Sequence, residues 1–167
     1  MQPESDGEDP WTSFQRTVVE ITCPDGGSLR VRSAPEPEGA GWPWPTAEPV
    51  YILTAWDPGP ERPGLEQNRR RQAALEADLG ELAVSLMAAA GVDPATGRRD
   101  EGVAVRGAAE SAILALGARY GQDAIFVWTP AEWAIVACQG ERRLGSGWAL
   151  VPPRPGIPFS SAPDAPI

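Results

Sequence analysis

Apolar and polar positions along the chain alternate with a period of two in several short stretches. They recur every three to four residues in two longer ones. Residues 16–23 (RTVVEITC) are rich in β-branched side chains and stop at Pro24. Asp25-Gly26-Gly27 reads as a turn, and residues 28–33 (SLRVRS) then set Leu29 and Val31 against Arg30 and Arg32. Together they predict a hairpin with one wetted face. Residues 34–49 are rich in Pro, Gly and Trp, with Trp42-Pro43-Trp44-Pro45 at the centre, which excludes helix and favours an extended loop. Residues 50–56 (VYILTAW) form the most apolar stretch, that of a strand buried on both faces, and Asp57-Pro58-Gly59-Pro60 ends it.

A long helix is predicted over residues 65–90, because Leu65, Asn68, Gln72, Leu75, Leu79, Leu82 and Leu86 fall on one stripe and Gly91 follows as a stop. Residues 93–100 read as a polar turn and 101–106 (EGVAVR) as a short strand. A second helix spans 108–120, with Ala109, Ile113, Leu116 and Tyr120 on one side. Residues 124–128 (AIFVW) and 133–138 (WAIVAC) predict an antiparallel hairpin, and 148–151 a further edge strand. Gly145-Ser146-Gly147 reads as a loop. The order is thus β-β-β-α-β-α-β-β, an α+β fold in which a mixed sheet carries two helices packed on one face. Helices between strands favour parallel pairing of the strands they connect.

Composition refines this picture. Most of the 19 prolines lie in the first ten residues, residues 35–63 and the end of the chain. The expected organisation is a disordered acidic N-terminus over 1–13, one α+β domain over 14–151 and a disordered Pro-rich tail over 152–167. Net charge is −9, the wrong sign for gripping a phosphate backbone, so nucleic acid is not an expected partner. There is no histidine, which excludes Ser-His-Asp and Cys-His relays and imidazole-based metal sites. No cofactor or metal is implied. Lysine is also absent, so every side-chain cation is an arginine. Two cysteines, Cys23 and Cys138, do not make a disulfide scaffold. With no signal-like N-terminus and no apolar run of membrane-spanning length, a soluble cytoplasmic protein is expected. The pattern leaves the oligomeric state open.

Few residues suggest chemistry. Asn68 and Gln72 interrupt a leucine stripe, so their amides should face the sheet near the end of the 50–56 strand, where Thr54 or Asp57 could partner them. Asn68 could pin the turn after that strand or line a pocket. Arg69, Arg70 and Arg71 stand in the first turns of the helix, either as a solvated face or as part of an anion site. Asp57 and Glu101 are carboxylates at strand ends, and they are the candidate catalytic pair, one of them as general base, if the fold brings them together.

Several of these residues also resemble a known family. Tyr51-Ile52-Leu53-Thr54-Ala55-Trp56-Asp57-Pro58 is similar to the (F/I)-(I/V)-T-A-W-N-P signature of the bacterial domain of unknown function 3293. Asn68 with Leu75 and Leu79 resembles its N…L…L helix, Tyr120-Gly121-Gln122-Asp123-Ala124-Ile125 its F-G-Q-N-A motif, and Phe14-Gln15-Arg16-Thr17 its opening Y-x-x-T. Glu101 falls where that family has W-x-E-P-S, here without the Trp and the P-S, and Asp57 and Asp123 replace Asn in their motifs. The resemblance spans residues 14–138 and implies a fold group and a set of polar positions, Thr17, Thr54, Trp56, Asp57, Asn68, Glu101 and Gln122. It implies no activity.

Three functions follow as expectations. The first is a binding module for a small polar ligand, an anionic one included, in a pocket at the end of the 50–56 strand. Thr54, Asp57, Asn68 and Gln122 would line it with polar groups, Trp56 would offer a stacking face and the Arg69-Arg70-Arg71 run the charge. The second is a small hydrolase or transferase using Asp57 or Glu101 as general base. The third is an interaction or regulatory protein docking through the Trp-Pro loop or the Pro-rich tail.

Overall fold

A computed structural model describes residues 9–35, 41–58 and 62–151. The expected tail over 152–167 and most of the expected acidic N-terminus lie outside these residues. The chain order is α1 (Pro10–Arg16), β1 (Val18–Thr22), β2 (Ser28–Ala34), β3 (Val50–Leu53), α2 (Leu65–Gly80), β4 (Ser85–Val92), β5 (Arg99–Arg106), α3 (Glu110–Arg119), β6 (Ala124–Trp128), β7 (Trp133–Ala137) and β8 (Arg143–Leu150). The eight strands close into a barrel in the order β1-β2-β8-β7-β6-β3-β5-β4, and every pairing is antiparallel.

The expected mixed sheet with two helices on one face is therefore corrected to a closed antiparallel barrel. Two misreadings account for the difference. The helix predicted to reach residue 90 stops at Gly80, and Ala83, at φ +53°, turns the chain into β4. The Ala-rich segment 85–92 favours helix by propensity. It becomes a strand because it pairs with β5 along eight residues and with β1 along four, and this second pairing closes the barrel. Its alternation is real but muted: Met87 and Ala89 face the interior, while Leu86 is 38% exposed. Gly145-Ser146-Gly147, read as a loop, lies within β8, which bridges β2 and β7. The strand expected at an edge has two partners.

Strand direction is the second misreading. Helix α2 leads from β3 to β4, but β4 does not pair with β3. The chain returns through a tight β4–β5 connection, and β5 lies antiparallel beside β3. Strand β6, reached through α3, lies antiparallel on the other side of β3. The end of β3 thus meets the starts of both β5 and β6.

Two apolar layers hold the barrel. Val19, Ile21, Val31, Val50, Ile52, Ala104 and Trp128 fill the interior. On the outer face of β3, β5, β6 and β7, Tyr51, Leu53, Val103, Val105, Ile125, Val127 and Val136 pack against Leu75 and Leu79 of α2 and Ile113 of α3. These strands are covered on both faces, which is why they read as continuous apolar runs. At the end where β3 begins, the rings of Trp42 and Trp44 meet Trp128 edge-on at centroid distances of 5.0 and 6.1 Å. The Trp-Pro loop therefore turns its rings inward over that end of the barrel. Helix α1, which begins at Pro10 within the stretch expected to be disordered, lies at the opposite end, with Trp11 packed on Ile135 and Ala137.

Candidate functional site

The end of the barrel where β3 finishes holds a cavity of about 770 Å³. Its inner wall is apolar, with Val19, Ile52, Phe126 and Ile135. Its rim is charged and comes from four places: α1, the segment following β3, the β4–β5 connection and the start of β6.

The segment after β3 is held almost entirely by side chains. Thr54 donates its hydroxyl to the Glu101 carbonyl at 2.5 Å and accepts from the Trp56 amide at 2.9 Å. Gln72 Oε1 accepts from the Ala55 amide at 2.9 Å, and Gln122 Nε2 donates to the Trp56 carbonyl at 3.1 Å. Asn68 makes a reciprocal pair with Asp57: its Oδ1 accepts from the Asp57 amide and its Nδ2 donates to Asp57 Oδ1, both at 2.9 Å. Asp57 sits at φ +42°, a left-handed conformation that Asp and Asn tolerate better than other residues with side chains. Arg71 donates through Nε to the Ala55 carbonyl at 3.0 Å and through Nη2 to the Tyr120 carbonyl. Gly121 follows at φ +75°, and a Cβ there would stand 2.8 Å from Pro58. Both its φ and its packing call for glycine.

Thr54, Trp56, Asp57 and Gln122 line the cavity; Asn68 and Glu101 are not on its wall. Asn68 is buried behind the segment as its clamp. The Glu101 carboxylate lies 3.9 Å from Arg99, and only the Glu101 backbone joins the site. Asp57 and Glu101 are thus each engaged by other partners. Of the arginine run, Arg69 and Arg70 are exposed, Arg70 pairs with Glu66 at 2.7 Å, and Arg71 serves backbone carbonyls. None of the three lines the cavity.

The charged groups of the rim were mostly missed by sequence reasoning. Arg98 bridges two carboxylates, donating through Nη2 to Asp57 Oδ2 at 2.9 Å and through Nε to Asp100 Oδ1 at 3.1 Å. Arg16 grips Asp93 with Nε and Nη2 at 2.9 and 2.8 Å, joining the end of α1 to the β4–β5 connection. Hydrogen bonding from Arg16 holds the Asp93 carboxyl down to about 2, while burial pushes Asp100 upward against the pull of Arg98. The signal available in the sequence was the run Asp93–Asp100, whose Asp93 carboxylate caps its own turn by accepting from the Ala95 amide at 2.9 Å. As a sequence it reads only as a polar turn. Among the described residues, no three Cys, Asp or Glu side chains gather into a metal-binding group. No helix among them is long and apolar enough to cross a membrane.

No curated protein and no solved structure matches the chain. Residues 53–125 match the family described as Protein of unknown function (DUF3293). That stretch runs from the end of β3 into β6 and holds the pins of the 54–57 segment, whereas the Phe14–Thr17 motif lies outside it. Over these residues, fewer than half of the chain, the protein is similar to the DUF3293 family.

Proposed function

We propose that the protein binds a small polar molecule in the cavity at the end of β3. The observation that supports this most is the cavity of about 770 Å³, within the usual range of small-molecule sites, into which Thr54, Trp56, Asp57 and Gln122 converge with Arg98 and Asp100. The segment carrying three of these residues is clamped by Gln72, Asn68, Arg71 and Gln122, which gives it the rigidity expected of a preorganised wall. A cytosolic setting fits the two free cysteines, and a net charge of −9 argues against a nucleic-acid ligand.

A thermal-shift screen of polar metabolites tests the reading, since a ligand that binds only the folded state raises the melting temperature. A concentration-dependent rise that is lost in Gln122→Leu or Trp56→Ala, with the fold retained, is expected. A screen without a hit, or a hit indifferent to both substitutions, would count against the cavity.

A further inference from the structure

We infer that the molecule this cavity accepts is amphipathic, with an apolar body among Val19, Ile52, Phe126 and Ile135 and a cationic amine or guanidine head among the rim carboxylates. The inference rests on the cavity being a ligand site. The inner wall supplies no charge, and Val19, Ile52 and Ile135 are buried side chains. An apolar body there would gain from leaving water.

The sign of the head follows from the rim. Five carboxylates, Asp9, Asp57, Asp93, Asp100 and Asp123, face three guanidinium groups, Arg16, Arg62 and Arg98. Asp9 is paired by Arg142, which is not on the rim, at 3.0 Å, and this leaves four carboxylates to three cations. Two of those guanidinium groups are already committed. Arg16 donates twice to Asp93, and Arg98 is shared between Asp57 and Asp100. At the Asp57–Arg98–Asp100 cluster two negative charges share one positive charge on side chains that are 14% and 26% exposed for the two aspartates. The third guanidinium, Arg62, is exposed and its charge already acts on Asp100. At the Asp57–Arg98–Asp100 cluster and at Asp93, an anionic head would have to draw Arg98 or Arg16 away from carboxylates that would then be left unpaired. A cationic head meets spare lone pairs, because each carboxylate can accept about four hydrogen bonds. The upward push of burial on Asp100 agrees, since a bound cation would favour its ionised form.

Matched probes on the full-length chain decide this. 2-Phenylethylamine and 3-phenylpropionate share a tail and differ in head charge, and methylamine has the head alone. Thermal shift and calorimetric titration should show 2-phenylethylamine binding at least about ten-fold more tightly than 3-phenylpropionate, with no effect of methylamine at the same concentration. Asp100→Asn should weaken the amine by about ten-fold, and Asp57→Asn serves if that variant does not fold. Equal or tighter binding of 3-phenylpropionate would overturn the cationic head, and a methylamine response equal to that of the longer amine would overturn the apolar body. Silence from all three probes, with a hit in the polar-metabolite screen, would overturn this inference and leave the cavity as a site. Silence in both would overturn the cavity as well.

Discussion

Asn68 and Gln72 are the residues where sequence and structure meet most closely. Two buried amides on a leucine stripe call for partners. Asn68 finds them through both its oxygen and its nitrogen on Asp57, whereas Gln72 accepts from the Ala55 amide through Oε1 while its Nε2 makes no hydrogen bond among the described residues. Asn68→Ala removes both the acceptor of the Asp57 amide and the donor to its carboxylate, so a loss of about 1–3 kcal/mol is expected. A urea denaturation midpoint equal to that of the unaltered protein would contradict this. Asp93 carries a second residue-scale prediction. Its carboxyl is held at about 2, below the ordinary 3.8, so the folded state binds the proton more weakly than the unfolded chain. The Arg16–Asp93 pair therefore contributes its full stability above about pH 4 and loses it as the pH falls toward 2. Solvent access to Arg16 keeps this contribution near 1 kcal/mol. Asp93→Asn should flatten the stability profile across that acid window; an unchanged profile would show that the pair contributes nothing. The Arg16–Asp93 pair itself was not legible, because its partners lie 77 positions apart and no local pattern couples them.

At the scale of elements, the strands buried on both faces were the easiest to read. The β3, β6 and β7 sequences are nearly continuous runs of apolar and β-branched residues, and only strands with a helix on one side and barrel interior on the other need that. The failure was at β4, where alanine favours a helix by propensity and tertiary pairing with β1 and β5 overrides it. The two readings make opposite demands on neighbouring residues. A helix through residue 90 would bury Leu82 and Leu86, which are 42% and 38% exposed in the barrel. Leu86→Asp should therefore change stability by no more than about 0.5 kcal/mol, whereas Met87→Asp, which puts a charge into the interior, should cost about 3 kcal/mol or more. Thermal melts of the two variants check this, and the reverse order would restore the helix.

At the scale of the whole molecule, the strand missing from the sequence reading, β4, changes the architecture. Seven strands leave a sheet with two edges; β4 pairs with both β1 and β5 and removes them. The antiparallel course also determines the site. Because β5 and β6 run against β3, their starts stand beside its end, and Glu101, Gln122 and Thr54 come together around one segment. Parallel pairing would have placed Glu101 and Gln122 at the far end. The polar positions were legible one by one, but whether they met depended on strand direction, which local periodicity does not encode. What remained hidden was the contribution of α1 to the rim and the Arg98 bridge.

The most direct test of a barrel with one ligand end is a two-dimensional amide NMR titration with 2-phenylethylamine. Shifts confined to residues 54–57, the β4–β5 connection and the start of β6, with the amides around Trp42, Trp44, Trp128 and Trp148 unmoved, are the expected result. Saturable shifts centred on the tryptophan end, with the 54–57 segment unmoved, would contradict it.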